Sequence, residues 1–224
     1  MAIPPIVPYP LPTEPDLPAT QVGWRLDPAR AALLVHDMQR YFVDFFPAGA
    51  QPIAGLLANI AAIRAAADRH GMPVLYTAQP GGMTRTERGL LHDFWGAGMS
   101  TTAEHRRIVP ELAPRPHETV LTKWRYSAFA RTDLDNELRR QGRDQLLICG
   151  IYAHVGCLMT ACDAFTRDIQ PFLVADGVAD FSAEEHRLAL DYAARRCART
   201  LTTSAVLTAL DGALAGAPER TARR

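Results

Sequence analysis

The sequence predicts an α/β fold built on one doubly wound parallel sheet, and three observations support this prediction. Apolar runs of strand length recur along the chain, and the first of them is Ala31-Ala-Leu-Leu-Val35. A continuous apolar run of this kind is typical of a strand that is buried on both faces. Segments of helical length separate the runs, beginning with an alanine-rich amphipathic stretch over residues 52–70. Strands that alternate with helices indicate parallel pairing, with the helices packed against the sheet.

The remaining elements follow in chain order. Gly71 ends the first helix, and Ser182 with Glu185 predicts a capping box at the start of a later one. The segment over residues 79–102 is too polar and too broken by glycine to form an element, and it is too long for a simple connection. The other strands are predicted at residues 74–77, 120–122, 145–149, 172–175 and 200–203, and the other helices at 132–141, 156–167, 182–196 and 204–211.

Both ends of the chain differ from the middle in composition. Seven prolines lie between Pro4 and Pro18, so residues 1–24 should form no regular element and should run as an extended arm over the surface or a neighbouring subunit. Residues 25–211 are expected to form a single domain, since the chain has 224 residues and is 48% hydrophobic. Residues 212–224 are small and polar, which predicts a disordered tail.

Composition also bears on partners and compartment. Lys plus Arg and Asp plus Glu both total 24, so there is no basic surplus to indicate nucleic acid, and little charge to oppose self-association. The apolar runs are too short to span a membrane, and the composition of the first residues leads us to expect no secretory signal. The four cysteines lack metal-ligand spacing. They are expected to be reduced thiols of a cytoplasmic protein.

Lys123 is the only lysine in the sequence, against 23 arginines. A lysine offers a compact ammonium on a flexible stem, with a pKa that burial and neighbouring charges can shift. Lys123 follows a predicted strand, and open α/β sheets bind ligands at the carboxyl ends of their strands. We therefore treat Lys123 as a candidate site residue, although a biased composition that leaves one lysine on the surface is an alternative.

Other polar residues also follow predicted strands. Asp37 comes directly after the first strand, Gln79 after the second, and a turn over residues 150–156 after the fourth. Together with Lys123 they would place a carboxylate, an ammonium and a helix N-terminus at one edge of the sheet. The alternatives are a turn or capping role for Asp37, and a solvated loop with one aromatic anchor for Gln79, Arg88 and Trp95.

Five stretches of this sequence resemble the isochorismatase-like hydrolases, and the isochorismatase branch in particular. They are Leu34-Val-His-Asp-Met-Gln39, Tyr76-Thr-Ala-Gln-Pro80, Leu121-Thr-Lys-Trp-Arg-Tyr-Ser-Ala-Phe129, Cys149-Gly-Ile-Tyr-Ala-His-Val-Gly-Cys157 and Ile169-Gln-Pro-Phe-Leu-Val-Ala-Asp176. The resemblance covers roughly residues 3–208. It implies a three-layer, Rossmann-like, six-stranded parallel sheet with helices on both faces, usually in a homodimer, and no cofactor or metal.

One departure from the wider superfamily decides the implied chemistry. Its amidase members use an Asp-Lys-Cys triad, and the position of that cysteine is Gly156 here, as in the isochorismatase branch. Cys157 is the next residue, but a shift of one residue on a helix turns a side chain by about 100°. Without a thiolate at position 156 no acyl-enzyme can form. Cys157 is therefore expected to be structural.

The resemblance implies cleavage of an enolpyruvyl (vinyl) ether, with Asp37 as the general acid and Lys123 orienting Asp37 and the substrate. Burial and the carboxylates of the substrate would raise the pKa of Asp37, whereas Lys123 would lower it. The sequence leaves open which effect is larger in the free protein. His36 and His154 flank the motifs, and both are expected to be structural or orienting residues without a catalytic role.

The resemblance also assigns substrate contacts. Hydrogen-bond donors for carboxylates are expected from Gln79, Arg88, Tyr152 and the backbone around Gly156. Trp95 and Tyr126 are expected to form an apolar wall. In this family the peptide bond before Tyr152 is often cis.

The expected substrate is 2-amino-2-deoxyisochorismate, as in phenazine-type pathways. We expect no carrier domain after the last predicted helix, and segments such as residues 79–84 look closer to members of those pathways. The alternative substrate is isochorismate, for a catecholate siderophore. A more distant alternative is a noncatalytic dimeric scaffold, against which the retention of Asp37 and the single lysine argues.

Overall fold

A computed structural model describes residues 3–215 and places six parallel strands in one sheet. The strands are β1 Ala31–His36, β2 Val74–Ala78, β3 Thr119–Thr122, β4 Gln145–Ile151, β5 Gln170–Ala179 and β6 Arg199–Leu201. Their order across the sheet is β3-β2-β1-β4-β5-β6, and every neighbouring pair is parallel. The order reverses between β1 and β4, which is where doubly wound sheets bind ligands. The predicted fold class is confirmed.

Helices cover both faces of the sheet. Within residues 3–215 they are α1 Arg40–Val43, α2 Ile53–Arg69, α3 Arg85–Arg88, α4 Leu91–Trp95, α5 Ala103–Arg106, α6 Leu134–Arg140, α7 Leu158–Thr166, α8 Ala183–Arg196 and α9 Thr203–Ala215. Apolar side chains of α2 and α9 pack into one hydrophobic cluster, and those of α6, α7 and α8 pack into a second. None of these helices is both long and apolar enough to cross a membrane.

The two clusters lie on opposite faces of the sheet because side chains alternate along each strand. In β1, Leu33 and Val35 belong to the first cluster, and Ala32 and Leu34 belong to the second. All four are fully buried, and burying a Leu or Val side chain contributes roughly 1.5–3 kcal/mol. The central position of β1 thus explains its uninterrupted apolar sequence. At the sheet edge, Val120 of β3 is 48% exposed.

The segment after β2 contains short helices that the sequence prediction omitted, so the prediction of an element-free stretch over residues 79–102 was wrong. The signal was present: Thr84 caps α3 by accepting a hydrogen bond from Glu87 N, and the Glu87 carboxylate accepts from Thr84 N at 2.8 Å. This Thr-x-x-Glu capping box is a sequence signature of a helix start.

The ends of the chain also differ from the expectation. The N-terminal arm is largely extended but contains a 3₁₀ turn at Glu14–Asp16, so the expectation that it would lack regular structure was wrong there. It lies against its own chain, with Ile6 and Tyr9 buried in the first cluster. Helix α9 continues to Ala215, so residues 212–215 are helical rather than disordered, and the rest of the expected tail lies outside the described residues.

Candidate active site

A cavity of about 460 Å³ lies at the carboxyl edge of the sheet, a size typical of small-molecule sites. Residues at or just after the ends of β1 to β4 line it. All of the predicted site residues contribute to this one cavity: Asp37, Gln79, Arg88, Trp95, Lys123, Tyr126, Tyr152 and Gly156. The structure thus brings together residues that are up to 119 positions apart in sequence (156 minus 37), while their roles remain predictions.

Asp37 is the first residue after β1, and its backbone turns sharply there. Its φ is +50°, in the left-handed region that few residues other than glycine, asparagine and aspartate adopt readily. The backbone N–H of Asp37 donates to Thr77 Oγ1 at 3.1 Å. Asp37 is only 5% exposed, and it lines the cavity.

Lys123 forms a buried ion pair with Asp37. Its Nζ donates to Asp37 Oδ2 at 2.9 Å, and Lys123 is 3% exposed. Lys123 follows β3, and its N–H donates to Ala78 O at 2.9 Å, which extends the ladder with β2. Because β2 lies between β3 and β1, two strand spacings of about 4.8 Å each separate the strand ends. A long, thin side chain is therefore needed to reach across β2.

The carboxylate of Asp37 has a second buried partner. Thr77 Oγ1 donates to Asp37 Oδ1 at 2.6 Å. Burial raises the pKa of Asp37, but the charge of Lys123 and the hydrogen bonds from Lys123 and Thr77 outweigh burial, so the pKa lies below its ordinary value. In the free protein Asp37 is therefore ionised at neutral pH, which answers the question that the sequence left open.

The imidazole of His36 fills the space beside Gly156. Its Nδ1 lies 2.9 Å from Ile151 O and donates to it, since a carbonyl only accepts. Burial lowers the pKa of His36 to about 4, so the ring is neutral. A Cβ on residue 156 would lie 2.9 Å from His36 Nε2 and closer still to Cε1. Glycine is therefore required at 156, and a cysteine there would collide with His36.

Cys157 does not replace the missing nucleophile. It is fully buried in the second hydrophobic cluster and does not line the cavity. Burial raises the pKa of its thiol well above the ordinary value, which disfavours the reactive thiolate. Both the burial of Cys157 away from the cavity and the protonated state of its thiol support the expectation of a structural role.

Two of the expected carboxylate donors are already engaged. The hydroxyl of Tyr152 donates to Phe42 O at 2.7 Å, and the N–H of Gly156 donates to Tyr152 O at 3.0 Å within a π-helical turn over Ala153–Cys157. In this conformation both of these hydrogens are used within the protein, and the expectation that Tyr152 and the backbone around Gly156 donate to a substrate carboxylate stays a prediction. The Ile151–Tyr152 peptide bond is cis.

Two arginines line the cavity, and the sequence analysis identified only one. Arg88 Nε donates to Gly96 O at 2.5 Å, and burial lowers the pKa of Arg88, although a guanidinium stays protonated in proteins. Arg125, which was missed, is held by a hydrogen bond from Nη1 to Glu87 O at 2.8 Å. With Lys123 they give the cavity wall three cations and, within residues 3–215, a single carboxylate, that of Asp37.

Aromatic rings form another part of the cavity wall. Trp95 Nε1 donates to Tyr126 OH at 2.6 Å, which fixes the two rings that were expected there. Phe181 joins them, with its ring centroid 4.3 Å from that of Tyr152 and 6.0 Å from that of Trp95. Phe181 was missed, although it follows β5 and the same strand-end reasoning would have identified it.

His154 supports this wall from outside the cavity. Its Nδ1 lies 2.8 Å from Asp180 Oδ1, and its backbone N–H donates to Asp180 Oδ2 at 2.6 Å. Burial alone would lower the pKa of His154, but Asp180 raises it above its ordinary value. Asp180 also accepts from the backbone N–H of Phe181 at 2.9 Å. The arrangement fits the orienting role expected for His154.

Known proteins resemble this chain along most of its length. It is 56% identical over 205 residues to the phenazine biosynthesis protein PhzD1 of Pseudomonas aeruginosa, with 92% of this chain and 98% of that protein covered. It is 54% identical over 213 residues to the isochorismatase of Bacillus subtilis, with 95% and 68% covered. A solved isochorismatase family protein from Burkholderia thailandensis has a TM-score of 0.76 at 26% identity, with 84% and 98% covered. The isochorismatase domain family matches residues 31–205. The chain therefore belongs to the isochorismatase family of hydrolases.

Proposed function

We propose that this protein hydrolyses the enolpyruvyl ether of 2-amino-2-deoxyisochorismate, giving trans-2,3-dihydro-3-hydroxyanthranilate and pyruvate. One observation carries the proposal: a buried Asp37, in contact with the only lysine, faces a cavity whose nucleophile position is filled by His36. The chain keeps an acid and a cation but has no room for a covalent nucleophile at residue 156. Vinyl ether hydrolysis is chemistry that needs an acid and no enzyme nucleophile.

The reaction begins with proton transfer from the Asp37 carboxyl group to the terminal methylene carbon of the enolpyruvyl group. The resulting oxocarbenium ion takes up water at its central carbon and loses a proton to form a hemiketal. Collapse of the hemiketal breaks the bond to the ring oxygen, releasing pyruvate and leaving a ring hydroxyl. A positioned general acid typically contributes about 10²–10⁴-fold to the rate.

Asp37 must gain a proton when the substrate binds, because it is ionised in the free protein. The substrate brings two carboxylates, and negative charge near Asp37 raises the pKa of its carboxyl group. A substrate carboxylate would also compete for Lys123, whose contact with Asp37 Oδ2 holds that pKa down. Binding of the two substrate carboxylates therefore favours the protonated acid that the reaction needs.

The charge of the cavity matches such a substrate. Lys123, Arg88 and Arg125 supply three positive charges against the one negative charge of Asp37. The excess of two positive charges complements two carboxylates, and guanidinium groups suit carboxylates through paired hydrogen bonds. The aromatic wall supplies apolar contact for the ring. These features support both candidate substrates, since each carries the same two carboxylates.

The second candidate substrate is isochorismate, which has a hydroxyl group in place of the ammonium group. Asp37 is the only carboxylate among the described residues that line the cavity, so no additional carboxylate is available to pair with the substrate ammonium. The 54% identity to an isochorismatase is close to the 56% identity to PhzD1. A noncatalytic scaffold is less favoured, since a buried ion pair without a catalytic role contributes little net stability.

The test is to incubate the purified protein with each compound and to measure pyruvate by coupling to lactate dehydrogenase. We expect pyruvate from both, with a modest preference in kcat/KM for 2-amino-2-deoxyisochorismate. A clear preference for isochorismate would support the second candidate function, isochorismate hydrolysis. Absence of pyruvate from both compounds, with protein that is folded by circular dichroism, would favour the scaffold.

A further inference from the structure

Thr77 lies on β2 between the two strands that carry the ion pair, and it contacts Asp37 twice. Its hydroxyl accepts from Asp37 N at 3.1 Å and donates to Asp37 Oδ1 at 2.6 Å. We propose that Thr77 is a positioning residue for the acid, holding Oδ1 as an acceptor so that the transferable proton is carried by Oδ2. This inference rests on the proposed vinyl ether hydrolysis.

The direction of the Thr77 hydroxyl is fixed by its two contacts. A backbone N–H can only donate, so the bond from Asp37 N occupies a lone pair of the Thr77 oxygen. The hydroxyl hydrogen is then free for Oδ1, at a distance typical of a strong O–H···O bond. Thr77 is fully buried, so water does not compete for this hydrogen.

The two oxygens of Asp37 face different surroundings. Lys123 and Gln79, the neighbours of Oδ2 at 2.9 and 3.5 Å, both line the cavity. Thr77, the neighbour of Oδ1, does not line it. Oδ2 is therefore the oxygen that a substrate can reach, and a proton held on Oδ1 would be misplaced. The left-handed backbone of Asp37 and the Thr77 hydroxyl together fix this orientation.

The test compares Thr77→Val, which keeps the shape and removes the hydroxyl, with Thr77→Ser, which keeps the hydroxyl. We expect Thr77→Val to lower kcat by about 10- to 100-fold, as misplacement of a reacting group does, with KM within about twofold because Thr77 does not line the cavity. Thr77→Ser should recover most of kcat. If Thr77→Val does not fold, kcat of Thr77→Ala can be compared with that of Thr77→Ser, which again differ in the hydroxyl group.

A matched control is available on β6. Thr200 is also a buried threonine, and its hydroxyl has no hydrogen-bond partner within residues 3–215. Thr200→Val should leave kcat and its pH dependence unchanged. If Thr77→Val and Thr200→Val give the same kcat and the same pH profile, the hydroxyl of Thr77 has no positioning role and the inference fails.

Two pH measurements separate positioning from a general structural effect. The Thr77 hydrogen bond lowers the pKa of Asp37, so its loss keeps the acid protonated to higher pH. The alkaline fall of kcat should thus move upward by about one pH unit in Thr77→Val. The infrared band of the protonated Asp37 carboxyl group can be identified because it is absent in Asp37→Asn. In Thr77→Val the pH at which this band titrates should also move upward. An unshifted band would overturn the inference, and this readout works even if neither substrate yields pyruvate, in which case only the proposed function has failed.

Discussion

The ring of His36 packs against the backbone of Gly156, where β1 meets the turn after β4, and occupies the position that a side chain on residue 156 would take. A side-chain carbon on residue 156 would lie 2.9 Å from His36 Nε2, well inside van der Waals contact. The identity of residue 156 is thus coupled to that of residue 36. In this structure a side chain at residue 156 would require the His36 ring to move.

Gly156→Ala should therefore lower the free energy of unfolding by about 1–3 kcal/mol, as overpacking of a core does, and should lower kcat because His36 displaces its neighbours. In a protein that already carries His36→Ala, Gly156→Ala should lower the free energy of unfolding by less. The coupling energy between the two substitutions should be about 0.5–3 kcal/mol. Urea unfolding of the four proteins measures this coupling. Gly23→Ala, where a Cβ meets nothing within 4 Å, is the control. Additive effects of the two substitutions would contradict the shared space.

Asp37→Asn should abolish most turnover while substrate binding is retained. Asparagine tolerates the left-handed backbone at residue 37 and keeps the shape of the side chain, but it cannot protonate carbon. We expect kcat to fall by about 10²–10⁴-fold, measured by pyruvate release, with binding followed by isothermal titration calorimetry. Near-normal turnover in the asparagine variant would remove Asp37 from the mechanism.

Lys123→Arg should lower kcat/KM by about 10²-fold, since misplacement by 1 Å at a reacting centre has effects of that size. The larger planar guanidinium does not fit where a thin side chain crosses β2 to reach Asp37 Oδ2. The buried pair of Arg64 and Glu118 lies outside the cavity, so Arg64→Lys serves as the control and should affect stability more than turnover. An unchanged kcat/KM for Lys123→Arg would refute the requirement for lysine.

Cys157→Ala should leave kcat within a few-fold of the parent protein, because the thiol is buried away from the cavity and its pKa is raised. Intact-protein mass spectrometry of a sample quenched during turnover should show no mass increase. A thioester or thiohemiketal on Cys157 would show instead that the reaction proceeds through a covalent intermediate.

Stability should depend on the protonation of His36. Its pKa falls from 6.5 in the unfolded chain to about 4 in the folded protein, so the unfolded state binds more protons between these values. Stability should rise with pH through this window, by up to about 3 kcal/mol from His36. Urea unfolding at pH 4.5 and pH 7 measures the change. The rise should be smaller in His36→Asn, with the remainder arising from groups such as His186, whose pKa is also lowered. An equal rise in stability in the parent protein and in His36→Asn would show that His36 does not cause the pH dependence.

The sequence was sufficient for the parts of the site that depend on chain direction. Parallel strands end at one edge of the sheet, so the positions of Asp37, Gln79 and Lys123 after their strands predict that they lie together, as they do in the cavity. The apolar run of β1 likewise predicted its central burial. These properties follow from the pattern of single residues along the chain.

Properties that depend on how side chains turn were not predictable in the same way. The Tyr152 hydroxyl points to Phe42 O rather than into the cavity, and no sequence spacing encodes that rotation. The contribution of Thr77 depends on the register of β2 against β1, which pairs it with His36. The burial of the proline-rich arm likewise depends on tertiary contacts, since proline composition excludes helix and inner strand but does not say what the arm packs against.

The N-terminal arm also contributes to the lining of the cavity, although it is part of neither the sheet nor the helices. Ile3 lines the cavity, and the arm is fastened further along by the Tyr9 hydroxyl, which accepts from Asp180 N at 2.7 Å. Residue 3 can therefore be varied without altering the strands that align Asp37 and Lys123. For enzyme engineering, this separates the shape of the binding space from the geometry of the Asp37–Lys123 pair, and a library at residue 3 can search for activity on bulkier vinyl ethers while the residues of the proposed proton transfer stay unchanged.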